Sequence, residues 1–290
     1  MSGVRTFDVE GCTAERVVET KARGGRTVSV CIPCRDEVAT IGSLVRSIRA
    51  ELMDRHGLVD ELIVLDDRST DDSATVARRA GATVVPIGDV HATHGVGHGK
   101  GNALWATLAA STGDLVVWCD GDVTTFEPVW VAHLLAPLLD DDSVALVKAR
   151  YDRPTTDGGG GRTTELVARP LLSLYEPALT ALHQPLSGEL AGRRSVLERI
   201  PFVEGWGVEI AMLVDIARRC GADAIAQVDL GVRKHRHRSL HELSVQAAEV
   251  MATLLARVPG APALLESPTL TRADGTVLPL NLAERPPLRV

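Results

Sequence analysis

Apolar residues follow two alternating rhythms along the first half of the chain. Short runs that are apolar at nearly every position read as strands buried on both faces: TVSVCIP (27–33), ELIVLDD (61–67), ATVVPI (82–87) and DLVVWC (114–119). Between them lie segments with helical spacing. TIGSLVRSIRAEL (40–52) carries Ile41, Leu44, Val45, Ile48 and Leu52 on one stripe. STDDSATVARRAG (69–81) opens on Ser, Thr and Asp and stops at Gly, and GNALWATLAAS (101–111) is a third helix. The alternation predicts a βαβ series and a parallel sheet with right-handed crossovers. Ligands bind beyond the carboxyl ends of such strands, so PCRDE, DDRS and DGD are expected on one rim.

The second half is less regular. ELVARPLLSLYEPAL (165–179) has helical spacing broken by prolines, and GVEIAMLVDIARRCG (207–221) is an amphipathic helix with a Gly stop. DAIAQVDLGV (223–232) reads as a strand. SLHELSVQAAEVMATLLARVP (239–259) opens with a capping box, Ser239 and Glu242, and closes before Pro259. Residues 1–26 and the tail from 260 onward show little periodicity and are expected to be a loosely packed lead-in and a loose arm. The resulting division is 1–26, 27–150, 151–258 and 259–290. No internal repeat is present.

Composition narrows the function classes. The chain has 290 residues, 45% of them hydrophobic, which describes a globular protein able to bury a sizeable core. Aromatics are only 3%, so the core must rest on Val, Leu, Ile and Ala. A net charge of -7 argues against non-specific nucleic-acid binding. No apolar run of about 18 residues exists, so no membrane-spanning helix is expected. The first twenty residues lack a signal-peptide core. Five cysteines, at 12, 31, 34, 119 and 220, are an odd and scattered set that suits a reducing cytoplasm. Cys31 and Cys34 form a CxxC, but with Pro33 between them and no second CxxC they read as filler.

Five stretches carry candidate chemistry. Asp120-Gly121-Asp122 follows an apolar strand; carboxylates there suit a divalent metal that leaves positions open for a diphosphate, against the plainer reading of a turn. In LDDRSTDD, Ser69 to Asp72 serve a helix N-terminus, whereas Asp66 and Asp67 are placed to accept from a ribose hydroxyl or a base N–H. In HATHGVGHGKGNAL (91–104), His91, His94 and His98 invite a zinc reading, but the interleaved glycines argue for a mobile loop. Lys100, at a helix start, is placed equally well to reach a phosphate or to be solvated. Gly161, Arg162, Thr163 and Thr164 stand at the end of the Gly-rich stretch DGGGGR (157–162) and before a helix, and offer donors to an anion. VRKHRHRS (232–239) is a compact basic cluster whose histidines are possible metal ligands.

The segments VSVCIPCRDEVATI, LIVLDDRSTDD, GKGNALW, DGD, GRTTELVARPLL, QPLSGE, GWGVEI and DAIAQVDLGVRKHRHRSLHEL occur in this order. Over residues 27–258 they resemble the glucosyl-3-phosphoglycerate synthase family of retaining glycosyltransferases. The resemblance implies an α/β fold of GT-A type: a Rossmann-like, mostly parallel sheet flanked by helices. It implies a nucleotide-sugar-binding half (27–150) and a smaller acceptor-binding half (151–258). UDP-glucose would donate glucose to the 2-hydroxyl of 3-phosphoglycerate, with Mg2+ or Mn2+ as cofactor and a homodimer as the assembly. Pro33, Glu37, Asp66, Asp67 and Lys100 would hold the nucleotide. Asp122 and His235 would bind the metal, Asp120 the sugar or ribose, and Glu209 the glucose hydroxyls, with Trp206 beside the sugar. Arg162 and Thr164 would hold phosphoglycerate next to His237, and the Leu186 carbonyl would lie near the reacting centre.

The chain departs from that family's pattern in three places. His237 stands where the family has asparagine, Trp206 where it has tyrosine, and Asp67-Arg68 where it has Ser-Gly. These changes leave fold and reaction type alone and bear on donor and acceptor. The alternatives are a same-fold transferase with another donor such as GDP-mannose, another small acid acceptor, or a nucleotide-sugar binder without turnover. A sugar-1-phosphate nucleotidyltransferase would need a Gly-rich signature at the first strand, which CIPCRDE lacks.

Overall fold

The computed structural model describes residues 3–152, 161–233, 239–261 and 263–289. The expectations for residues 157–160, for His235 and His237, and for the neighbouring Lys234, Arg236 and Arg238 lie outside the described residues.

Strands β1 (Arg5–Phe7), β2 (Val28–Cys34), β3 (Glu61–Asp66), β4 (Thr83–Pro86), β5 (Leu115–Trp118), β6 (Leu146–Asp152) and β7 (Leu190–Arg193) precede a short β8 (Phe202–Val203) and β9 (Ile225–Val232). Eight of them build one sheet in the order β1-β9-β6-β7-β5-β2-β3-β4. Every neighbouring pair is parallel except those made by β7, which runs antiparallel to both β5 and β6. The strands draw on both halves of the sequence.

Helices cover both faces, which is why β2, β3 and β5 are buried at nearly every position. Period-two alternation sends Val28, Val30 and Ile32 to one core and Cys31 to the other; Val117 and Trp118 divide in the same way. The first core is capped by α1 (Ala14–Gly24), α2 (Ile41–Ile48), α3 (Ser73–Ala80) and, after α4 (Ile87–His94) and α5 (Lys100–Ala110), by α6 (Val129–Asp140). The second core takes α4, α5, the short α7 (Arg169–Tyr175) and α8 (Arg194–Leu197), then α9 (Val208–Cys220) and α10 (Leu240–Arg257). Trp118 is fully buried there, and its indole N–H donates to Thr107 Oγ1 at 2.7 Å, so the ring costs no unpaired polar group.

The structure corrects several expectations. The lead-in is ordered: β1 extends the sheet beside β9 and α1 packs on α6. Three strand residues are too few to show a period, and α1 betrays itself only by its caps, Thr13 and the left-handed Gly25. The tail is ordered too, with β10 (Thr269–Thr271) and β11 (Val277–Pro279) as a hairpin and β12 (Glu284–Arg285) paired to β8. His91 and His94 sit on α4 rather than in a loop, because the glycines that break it begin only at Gly95. The helix expected from 69 starts at Ser73, since Ser69, Thr70 and Asp71 are spent bonding the Asp36–Val38 loop. The 40–52 helix passes into a π-type turn, Arg49–Arg55. The 165–179 segment is broken as expected, into a π-type turn, α7 and a 3-10 turn. The capping box at Ser239 and Glu242 is present.

Arg193, at the end of the antiparallel strand, shows what holds this sheet's irregular junction. Its buried guanidinium donates to the carbonyls of Val144, Leu138 and Asp141 at 2.7, 2.5 and 3.0 Å. Arg193→Ala strands these acceptors, and we expect a loss of about 2–4 kcal/mol, read as a lower urea midpoint at unchanged m-value.

Candidate active site

The carboxyl ends of β2, β3 and β5 lie on one rim, and each supplies a loop. After β2 come Arg35, Asp36 and Glu37; after β3 come Asp67 and Arg68; after β5 comes Asp120-Gly121-Asp122. The loops are tied to one another. Asp36, in the left-handed region at φ 56, accepts from Thr70 N at 2.6 Å, Glu37 N donates to Ser73 Oγ at 2.7 Å, and Thr40 Oγ1 donates to the Gly121 carbonyl at 2.6 Å. Because β7 is antiparallel, its leading residues Leu186–Glu189 reach the same rim as the parallel strands' trailing ends. Arg233 follows β9 onto that rim.

A cavity of about 560 Å³ opens between these loops. Pro33, Glu37, Asp67, Lys100, Asp120, Asp122, Gly161, Arg162, Thr163, Thr164, Leu186 and Trp206 all line it. Motifs far apart in sequence therefore share one cleft. Two expected residues stand back from the wall. Asp66 accepts from Ser69 N at 3.4 Å within its own turn, a long contact, and Glu209 is buried behind Lys100. The zinc reading of the histidines is not supported: His91 Nε2 pairs with Asn102 Nδ2 at 3.2 Å, and His98 Nδ1 faces Arg68 at 3.1 Å.

Beneath the cavity lies a dense charge cluster. Lys100 Nζ is 2.7 Å from Glu209 Oε1 and 3.3 Å from Asp120 Oδ1. Arg233 grips the other oxygen of Asp120 at 2.7 Å, reaches Glu189 Oε1 at 3.0 Å, and comes within 3.8 Å of Asp122. Burial opposes the charge on Lys100, but Asp120 and Glu209 outweigh it and raise its pKa. Burial likewise opposes the charge on Arg233, and Glu189 leads the groups that outweigh it. Glu189 is 1% exposed, and burial raises its pKa against the pull of Arg233. Lys148, the buried cation of strand β6, is 1% exposed and donates to the Ser187 carbonyl at 2.5 Å. Burial drives its pKa down to about 8. Gly188 is required by close approach: a side chain there would meet the Asp120 carboxylate.

Sequence reading passed over Lys148, Glu189 and Arg233. Lys148 had a signal, a cation in an otherwise buried apolar run. Arg233 was visible only as part of a basic cluster, and Glu189 only inside the QPLSGE motif.

Fold and cleft together define a GT-A glycosyltransferase: a mostly parallel sheet with carboxylates after the fifth strand facing a deep polar cavity. Residues 29–201 match the family Glycosyl transferase family 2. The glucosyl-3-phosphoglycerate synthase of Mycolicibacterium paratuberculosis is 47% identical over 302 residues, covering 98% of this chain and 90% of that protein. The crystal structure of the Mycobacterium tuberculosis glucosyl-3-phosphoglycerate synthase with Mn2+, UDP-glucose and phosphoglyceric acid superposes with a TM-score of 0.89 at 45% identity, covering 99% of this chain and 98% of that one. The same enzyme with Mg2+ and UDP gives a TM-score of 0.88, again at 45% identity, with 98% of each chain covered. The chain belongs to the glucosyl-3-phosphoglycerate synthase family.

The depressed pKa of Lys148 makes a signed prediction. Between about pH 8 and the ordinary lysine value of 10.5, an unfolded chain keeps a proton that folded Lys148 has released. The unfolded state then binds more protons, so this residue's contribution to stability rises with pH across that window and is flat below it. Denaturation of wild type and Lys148→Met at pH 7.5 and pH 10 should show wild type gaining on the variant at the higher pH. A pH-independent difference would refute the burial-driven shift.

Proposed function

We propose that this protein transfers glucose from UDP-glucose to the 2-hydroxyl of 3-phosphoglycerate, with retention and with Mg2+ or Mn2+ as cofactor. The observation that carries the reading is the convergence, in one cavity, of Pro33, Glu37, Asp67 and Lys100 with Asp120, Asp122 and the Gly161–Thr164 segment. The relatives' bound ligands support the donor, acceptor and metal.

The residues fit a substrate-bridging cation. Among the described residues no group of three His, Cys, Asp or Glu converges as a closed metal site. Asp122 offers hard oxygen ligands on the cavity wall, and a partial set that leaves positions for phosphate oxygens and water is what Mg2+ prefers. We assign Asp122 and His235 as ligands. When bound, the cation neutralises charge developing on the departing diphosphate.

The chain's own groups do the rest. Lys100 adds a fixed positive charge on the diphosphate side, pre-oriented by Asp120 and Glu209. The donor base rests against Pro33, Glu37 and Asp67, and Trp206 offers an apolar face to the sugar. Arg162 and Thr164 receive the acceptor's anionic groups, with Gly161 and Thr163 on the same wall; we assign His237 to the same acceptor. A covalent glycosyl intermediate is disfavoured, because each oxygen of Asp120 and one of Glu209 already faces a cation. The acceptor hydroxyl therefore attacks from the face the diphosphate leaves, near the Leu186 carbonyl, and a diphosphate oxygen takes its proton.

We also propose a homodimer in the cytoplasm. Leu166 and Leu174, each 72% exposed, and Leu240 on α10 leave apolar surface on the second half, and all five cysteines are unpaired thiols. Light scattering at micromolar concentration should return twice the chain mass; a monomer would refute the dimer.

Incubating the protein with a panel of nucleotide sugars and Mg2+, with and without 3-phosphoglycerate, tests the activity through released nucleoside diphosphate. UDP release from UDP-glucose that depends on 3-phosphoglycerate is expected; release from GDP-mannose alone would move the reading to another donor. Asp122→Ala should lower turnover by roughly 10³-fold or more at unchanged melting temperature, because it removes a ligand and no core contact. Near-wild-type turnover in that variant would remove the metal role of the motif.

A further inference from the structure

The C-terminal residues 281–289 run back across the rim of the cleft and touch both of its less regular walls. One wall is the glycine loop 95–99 that leads into Lys100. The other is the 204–207 segment that carries Trp206. The Ala283 carbonyl accepts from Glu204 N at 2.7 Å, and β12 pairs with β8 just before that segment. Arg285 lies 4.3 Å over the Trp105 ring and donates to the His94 and Gly95 carbonyls at 2.8 and 3.1 Å. Trp105, on the helix that Lys100 opens, donates its indole N–H to the Pro286 carbonyl at 2.8 Å. Asn281 Nδ2 donates to the His98 carbonyl at 2.8 Å.

One buried carboxylate joins the 204–207 wall to this strap. Glu249 on α10 is 4% exposed. Its Oε2 accepts from Trp206 N at 2.7 Å and its Oε1 from Asn281 N at 2.8 Å. The walls are also tied to each other. Glu204 Oε2 accepts from His98 N at 3.1 Å, and the Glu204 carbonyl accepts from Gly101 N at 2.7 Å, at the start of the Lys100 helix. Gly99, at φ 95, has no room for a side chain against the Glu204 carbonyl. A glycine-rich loop has many conformations available to it, so its placement must be imposed by its neighbours. The strap supplies those neighbours.

We propose that Glu249 and Asn281 are positioning residues for the nucleoside diphosphate sugar: through the strap they set where Lys100 and Trp206 stand in the cleft. The inference rests on reading that cleft as the donor site. Its cost and its logic are those of preorganisation: bonds made in the free protein spare the donor the ordering of two loops. A glutamine at 249 keeps the shape but can accept only one of the two backbone N–H groups, which breaks the tie between the strap and the 204–207 wall. Asn281→Ala frees only the His98 carbonyl and removes no core contact.

The test is steady-state kinetics of the full chain with Mg2+, UDP-glucose and 3-phosphoglycerate for wild type, Asn281→Ala and Glu249→Gln, with melting temperatures alongside. Both variants should raise the KM for UDP-glucose by about fivefold, the worth of one net hydrogen bond, and leave the KM for 3-phosphoglycerate within about twofold. If Glu249→Gln fails to fold, Asn281→Ala, a surface change, still decides. A wild type that releases no UDP overturns the donor reading itself. A wild type that turns over while Asn281→Ala keeps its donor KM overturns the strap's positioning role alone. A fall in kcat that follows a lost folded fraction, with donor KM unchanged, assigns the strap to stability and likewise overturns the proposal.

Discussion

The cleft is organised around one carboxylate, Asp120, held on both oxygens by cations from distant parts of the chain. Lys100 arrives from the start of α5 and Arg233 from the end of β9. Each cation is shared with a second buried acid, Glu209 and Glu189. Removing one member would leave an uncompensated buried charge, at a cost of about 3–5 kcal/mol. The network is stable only as a whole, and the whole is still short of positive charge. Lys100, Lys148 and Arg233 face Asp120, Asp122, Glu189 and Glu209, and Lys148 holds its proton weakly. One oxygen of Glu189 has no hydrogen-bond partner. A site built this way favours a cation beside Asp122, and a diphosphate brings its own with it.

The sheet's single reversal makes this arrangement possible. In a purely parallel sheet the chain reaches the functional rim only at strand ends. The antiparallel β7 presents its beginning there, so Leu186, Gly188 and Glu189 enter between the Asp-Gly-Asp loop and Arg233. Lys148, one strand over, holds the Ser187 carbonyl from below. The Gly161–Thr164 segment lines the same cavity, and Leu243 and Gln246 of α10 join the wall.

Much of this was legible in the sequence, for physical reasons. Strands buried on both faces must be apolar throughout, so β2, β3 and β5 declared themselves, and with them the rim on which three acidic loops meet. Helices with caps, such as that opened by Ser239 and Glu242, were equally clear. Legibility failed where stabilisation is tertiary. β1 and β12 are too short for a period and exist because a neighbouring edge receives them. Arg285 and Glu249 look like ordinary surface charges in the sequence; their burial follows only from how the tail folds back on Trp105 and Trp206. Lys148 and Glu189 are single charges in apolar surroundings, a pattern that signals cost and not role. Asp66 and Asp67 are neighbours in sequence, but strand alternation points successive side chains apart, and only Asp67 lines the cavity.

The central claim is that the cleft is a cation-completed diphosphate site. Calorimetric titration of UDP into the protein, with Mg2+ and after exhaustive chelation, tests it most directly. Binding at least about tenfold tighter in the presence of Mg2+ is the result the charge arrangement predicts, a difference of about 1.4 kcal/mol or more. Equal affinity under the two conditions would contradict it.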